Sequence, residues 1–159
     1  MSQPVRNTLT ELREIRALAK LTLGGYPWLL PQTEIRSLES PLDIDREVRA
    51  PQGIGAIALG GEWWPVYCLS GDLRLLPQPP DSRGICALLD NGADRFGLLC
   101  DQVETLAETP RLLALPACMG SPDSPIQALA PLDEGLGCVT DTEHLAALLA
   151  TLAEGADGH

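Results

Sequence analysis

Histidine is nearly absent from this 159-residue chain, with only His144 and His159. Catalysis near neutral pH usually recruits a histidine, an activated nucleophile or paired carboxylates in a cleft. His159 is the last residue of the sequence, and His144 falls in the first turn of a C-terminal helix, where a positive charge meets the wrong end of the dipole. Both read as solvated side chains, not as bases. No G-x-G-x-x-G or Walker pattern opens a helix, and Gly53-Ile54-Gly55 precedes a strand, which argues against phosphate binding. Neither Asp43, Asp45 and Glu47 nor Asp90, Asp94 and Asp101 have calcium-loop spacing, so both sets read as charged loop surface. Cys68, Cys86, Cys100, Cys118 and Cys138 are odd in number and contain no C-x-x-C, which argues against a disulfide framework or a zinc site. They read as small buried apolar side chains in a reducing cytosol. No catalytic residue, cofactor or metal is expected.

Positive charge is also scarce. Eleven Lys and Arg face 22 Asp and Glu, for a net charge of −11. Such a chain repels phosphate backbones and anionic lipid surfaces, so nucleic acid and direct membrane insertion are not expected. No apolar run approaches the ~20 residues of a membrane span, and the stretch 1–16 has no apolar signal core. Aromatic residues make up only 4% against 45% hydrophobic overall, so the core must be built from Leu, Ile, Val and Ala.

What the chain does have is hairpins. Ile54–Leu69 (IGAIALGGEWWPVYCL) places apolar runs on both sides of Gly60-Gly61, a pair that takes positive φ without strain. Ile85–Asp90 and Phe96–Asp101 bracket Asn91-Gly92, with Asp90 and Asp94 placed to stabilise the turn. Ala17–Leu23 and Tyr26–Leu30 flank Gly24-Gly25, and Ile126–Leu132 and Leu136–Thr140 flank Asp133-Glu134-Gly135. A further strand is expected over Val103–Leu106. Four hairpins and few helices indicate a mainly β fold, closed or nearly closed.

The connecting segments are less regular. Thr33–Glu39 is an ambiguous mix, Asp43–Arg49 reads as a solvated loop or edge, and Ser70–Leu76 as a loop or one helical turn. Pro77-Gln78-Pro79-Pro80-Asp81-Ser82 can continue neither helix nor central strand and reads as the joint, near 77–83, between two halves. The proline-rich stretch 108–125 reads as an irregular surface excursion. Thr8-Leu9-Thr10-Glu11 is a capping box ahead of a short helix over Leu9–Arg16, so 1–16 form an N-terminal extension. Thr140-Asp141-Thr142-Glu143 is a second capping box, and Leu145, Leu148, Leu149 and Leu152 recur with helical spacing. Gly155 and Gly158 are expected to stop that helix and leave 153–159 as a frayed tail.

Trp63-Trp64 is the sharpest local signal. Adjacent strand residues point to opposite faces, so one ring can enter the core while the other needs a cover or lies at the surface as an interface anchor. Pro65 favours an edge position. The alternative, both rings buried between two sheets, stays open on the pattern alone.

These segments, in this order, resemble the CheW-like domain, the coupling module of bacterial chemosensory arrays, over about Ala17–Leu152. Leu59–Leu69 is similar to that family's L-R-G-x-h-h-P-h-h-D-L hairpin, where h is apolar. Phe96–Val103 is similar to its h-G-h-h-V-D-x-V strand, and Ile126–Leu152 to its closing strands and helix. The resemblance implies two SH3-like β-barrels side by side over 17–152 with a groove between them. It also implies a cytoplasmic, non-enzymatic adaptor that bridges the tip of a methyl-accepting chemoreceptor and the regulatory domain of a histidine kinase. By family position, receptor contacts would lie near Ile57, Leu59, Gly60, Glu62 and Trp63, and kinase contacts near Gln102, Val103 and Glu104. Two positions depart from the pattern: the family's arginine is Gly60 here, and its aspartate is Cys68, which removes a possible ion pair or hydrogen-bond set. A specialised system such as type IV pilus control, or a module that has exchanged receptor coupling for another protein partner, stays open. A small-molecule binder or enzyme using the groove is the remaining alternative.

Overall fold

A computed structural model describes residues 17–116 and 124–157, and the backbone only over 153–157. The short helix expected over Leu9–Arg16 and the thiol of Cys118 lie outside the described residues. Among the described residues, ten strands form two five-stranded sheets. The first, the split lobe, takes β1 (Leu18–Leu23), β2 (Tyr26–Pro31), β8 (Gln102–Thr105), β9 (Ala128–Leu132) and β10 (Gly135–Val139) in the order β8-β1-β2-β10-β9. The second, the inserted lobe, takes β3 (Ile35–Glu39), β4 (Gly55–Leu59), β5 (Glu62–Tyr67), β6 (Ile85–Asp90) and β7 (Arg95–Cys100) in the order β3-β6-β7-β5-β4.

All four hairpins form. Gly24 and Gly25, at φ 57° and 88°, and Gly60 and Gly61, at 63° and 80°, turn the first two with consecutive left-handed residues, as a primed two-residue turn requires. Each lobe then joins two hairpins by a short parallel pairing, β2 with β10 and β5 with β7. The lobes therefore share one plan, as expected for twin SH3-like barrels. The ambiguous stretch at 33–39 contains β3, which pairs with β6 and forms a sheet edge.

The joint expected near 77–83 is in a different place. That proline-rich segment links β5 to β6, two strands of the same sheet. The chain crosses between lobes at Gln32–Glu34 and again at Asp101, so the inserted lobe interrupts the split lobe. The proline run marks a break in regular structure, not a boundary between cores. The excursion around 108–125 also does more than cover surface. Leu113 bridges to Leu129, and Leu112 is buried in the split lobe's core.

Alternation along the strands builds three cores. Leu18, Leu29, Ala128, Ala130 and Val139 fill the split lobe. Ile44, Ile57, Trp64, Val66, Cys68, Cys86, Leu88 and Leu99 fill the inserted lobe. The opposite faces of the same strands, with Ala19, Leu21, Leu23, Trp28 and Leu30 from one lobe and Ala87, Leu89, Phe96, Leu98 and Cys100 from the other, meet in a third core between the sheets. Strands β6 and β7 are thus covered on both faces, which is why ICALL and FGLLC read as continuous apolar runs. Burial pushes the Cys86 thiol up to about 12 and the Cys100 thiol upward as well, so both act as inert apolar filler.

The C-terminal helix α1 (Thr142–Asp157) lays Leu145 and Leu149 into the inter-lobe core, flanked by Leu148 and Leu152, as their spacing predicts. Its cap differs from the capping box read from sequence. Asp141 Oδ1, not the Thr140 hydroxyl, accepts the His144 amide at 2.8 Å, and Glu34 accepts the Thr142 amide at 2.8 Å. The helix also runs past Gly155, because intrahelical bonds outweigh the ~1 kcal/mol propensity cost of one glycine.

A polar lock sits where the chain crosses at Asp101. Arg83, with only 1% of its side chain exposed, places Nε 2.9 Å from Asp101 Oδ1 and donates from Nη1 to the Leu99 carbonyl at 3.0 Å. The same carboxylate accepts from the Ser82 hydroxyl and from the Gly25 amide of the first hairpin. Nearby, Trp28 Nε1 donates to the Gly71 carbonyl across the lobe boundary, and the Tyr26 ring lies so close over Gly71 that a Cβ there would stand 1.9 Å from it. Asp101→Ala strands a buried guanidinium and is expected to cost about 3–5 kcal/mol in urea denaturation. A loss below about 1 kcal/mol would show that this lock does not hold the lobes.

Candidate protein-binding surface

Register decides which of the two tryptophans is free. Across β4 and β5, Ile57 pairs with Trp64 and Ala58 with Trp63. Directly paired residues share a face, so Ile57 and Trp64 enter the inserted lobe's core together, while Ala58 and Trp63 face outward. Trp64 is 4% exposed, with Nε1 donating to the Leu59 carbonyl at 3.3 Å and the Arg95 guanidinium 5.8 Å from its ring centroid. Trp63 is 55% exposed.

Pro65 and Tyr67 follow Trp63 on that outward face. Together with Phe96, and with Ala146 and Leu149 of α1, they line an open groove of about 290 Å³ between β5 and the helix. Tyr67 and Phe96 meet edge to face at 6.1 Å. Arg95 lines the rim and pairs with Glu62 at 2.6 Å and with Asp90 at 3.5 Å. The result is an aromatic and proline surface edged by charge, of the kind that anchors protein contacts.

The residues expected at the receptor surface therefore divide. Gly60, Glu62 and Trp63 are exposed at the tip of the second hairpin, and Leu59 is half-buried. Ile57, only 2% exposed, lies inside the core and offers no contact surface, because its register partner is the buried tryptophan. The residues expected at the kinase surface lie elsewhere. Gln102 and Glu104 project from β8, an edge strand of the split lobe, while Val103 packs toward the inter-lobe core. Lys20 clasps Glu104 at 3.0 Å and Glu134 at 2.8 Å, and these two carboxylates, Glu134 foremost, hold the Lys20 pKa above its ordinary value. β8 packs beside β6, whereas the β4–β5 hairpin lies beyond β7 at the far edge of its sheet. The exposed ones among the eight, Gly60, Glu62 and Trp63 on one lobe and Gln102 and Glu104 on the other, thus form two separate patches.

Gly60 and Cys68 cannot stand in for an ion pair with each other. They flank the two ends of β5, roughly 20 Å apart at the rise of a β-strand. Cys68 is buried beside Arg83, whose charge partly offsets the upward push of burial on the thiol. A carboxylate at 68 would face that arginine, which here is served by Asp101. Nothing in the local sequence marks Arg83, since an arginine beside a proline run reads as surface.

Among the described residues, one grouping brings metal-ligand atom types together: Asp141, Glu143 and His144, within 4.8 Å of one another. His144 Nδ1 lies 2.7 Å from Asp141 Oδ1 and 3.1 Å from Gln127 Nε2, so its ring is held by the helix cap. The positive end of the α1 dipole opposes a cation there. No described helix is long and apolar enough to cross a membrane.

Comparison with known proteins agrees with this architecture. A search of curated proteins returned no match. Among solved structures, the scaffolding protein TtCheW from Thermoanaerobacter tengcongensis superposes with a TM-score of 0.64 at 14% sequence identity, over 82% of this chain and 91% of that one. At that identity the likeness speaks for the fold. The CheW-like domain model matches residues 19–149, from β1 into α1, and this span takes in both lobes and the helix that packs against their shared core. With its twin sheets and closing helix accounted for by one family pattern, the chain belongs to the CheW-like domain family.

Proposed function

We propose that this chain is a non-enzymatic adaptor that couples chemoreceptor tips to a histidine kinase in a bacterial chemosensory system serving chemotaxis or type IV pilus motility. The observation that carries this reading is the 55% exposure of Trp63 on the strand whose Pro65 and Tyr67 line an open groove, while its neighbour Trp64 is engaged in the core. Exposed tryptophans are favoured anchors of protein interfaces. The second patch, Gln102 and Glu104 on the β8 edge, lies on the other lobe, so two partners can be held at once without competing. Binding alone performs the function: the groove takes apolar side chains of the receptor tip, and the β8 edge takes the regulatory domain of the kinase.

A second reading keeps the fold and changes the partner. Gly60 stands where the family pattern has arginine, which favours a module that recruits a localisation or pilus-regulating protein in place of a receptor. A Cβ at Gly60 would meet nothing within 4 Å, so a long side chain fits there at the cost of a strained positive φ.

Purified receptor tip and kinase regulatory domain test the adaptor reading in pull-downs, and absence of any association at high micromolar concentration would sink it. Trp63→Ala is expected to leave stability within about 1 kcal/mol and to weaken receptor capture by roughly tenfold, with kinase capture retained. Trp64→Ala is expected to cost about 3–5 kcal/mol of stability. Equal, large destabilisation by both would contradict the anchor assignment. Gly60→Arg, once shown to fold, separates the two partner readings: a gain of receptor binding indicates that coupling was lost with the arginine, and no change indicates a different partner.

A further inference from the structure

Beside the groove of Pro65 and Tyr67 lies a second cleft, of about 430 Å³, built by the 46–55 segment that enters β4. Arg46, Val48 and Arg49 line it, over a floor formed by the backbone of Gly53 and Gly55. Pro51 lines both this cleft and the groove of Tyr67 and Pro65, so the two adjoin at that residue.

The charge of this cleft is unusual for the molecule. The chain carries 22 acidic residues, and Lys20, Arg74, Arg83 and Arg95 each hold a carboxylate. Arg46 and Arg49 are both exposed, and no described carboxylate comes within 4 Å of either. Their sequence neighbours do not neutralise them: Asp45 turns its carboxylate onto the Glu47 amide, and neither Asp45 nor Glu47 lines the cleft. Arg36 and Arg111 are also without ion pairs among the described residues but lie outside this cleft.

The floor is set in advance. The Gly53 amide donates to the Ala50 carbonyl at 2.7 Å, and the Ile54 amide to the Val66 carbonyl at 2.8 Å, which ties the segment to β5. A Cβ at Gly53 would stand 2.8 Å from the Val66 carbonyl, and Gln52 is held at a left-handed φ of 63°. A backbone fixed in this way loses little entropy when something binds against it.

We infer that this cleft takes an acidic segment of a partner protein, its carboxylates on Arg46 and Arg49 and a neighbouring apolar side chain directed past Pro51 toward the groove of Pro65 and Tyr67. Charge complementarity, with the apolar groove adjoining at Pro51, identifies the occupant. Planar guanidinium groups pair well with carboxylates, and the net charge of −11 works against a long polyphosphate. The inference rests on the adaptor reading only in taking the occupant to be part of a protein partner.

Fluorescence anisotropy with a labelled peptide of alternating Glu and Leu tests it, alongside the same peptide with Gln for Glu and a single-stranded oligonucleotide of similar length. The native chain is expected to bind the Glu peptide, and to bind it less tightly as salt is raised. Arg46→Gln combined with Arg49→Gln is expected to weaken binding on the order of tenfold or more, with an unchanged thermal midpoint, whereas Arg36→Gln with Arg111→Gln leaves it intact. Failure to bind the Glu peptide, equal affinity for the Gln peptide or the oligonucleotide, or indifference to the Arg46 and Arg49 substitutions would each overturn the inference. A chain that captures the kinase regulatory domain but ignores the Glu peptide sinks the cleft alone. One that binds the peptide through these arginines yet captures neither kinase nor receptor sinks the adaptor reading alone.

Discussion

The molecule depends on one packing interaction, the face-to-face contact of two sheets through a core that belongs to neither lobe. Leu21, Leu23 and Leu30 from the split lobe meet Leu89, Phe96 and Leu98 from the inserted lobe, and α1 adds Leu145 and Leu149. Because β6 and β7 are buried on both faces, neither lobe can separate without exposing the strands that carry its own core. Interruption of one lobe by the other adds a topological reason, since the chain crosses between them twice. A buried charge pair sits at one crossing, where Arg83 and Asp101 hold the first hairpin's turn to the loop ahead of β6.

This arrangement determines what is left for partners. Strand faces turned to any of the three cores are unavailable, which removes Ile57 and Trp64 from the surface. What remains exposed lies at hairpin tips and sheet edges, Trp63 on one lobe and Gln102 with Glu104 on the other, with half-buried Pro65 and Tyr67 lining the groove beside α1. A rigid body with two separated contact surfaces is a mechanical requirement for an adaptor.

Much of this was legible in the sequence where local chemistry is decisive. Glycine pairs at 24–25 and 60–61 and the Asn91-Gly92 turn announced hairpins because few other residues take those dihedrals. The leucine spacing of α1 announced its buried stripe. Long-range choices were not legible. The proline run at 77–80 looked like a boundary because proline reports local irregularity and carries no information on which strands pair. Period-two alternation puts Trp63 and Trp64 on opposite faces but leaves open whether both are buried; the fold, with Ile57 paired to Trp64 and Ala58 to Trp63, leaves Trp63 exposed. Arg46 and Arg49 read as ordinary loop charge, since the lack of a carboxylate partner is visible only once the chain is folded.

Hydrogen–deuterium exchange of the intact native protein, followed amide by amide, tests the shared core most directly. If the inter-lobe core holds both sheets as one cooperative unit, the amides of β1 and β2 and those of β6 and β7 exchange only through the same global opening, with equal free energies that fall together in denaturant. Protection that persists in β6 and β7 while β1 and β2 exchange freely would show two lobes that open independently, and would contradict the account.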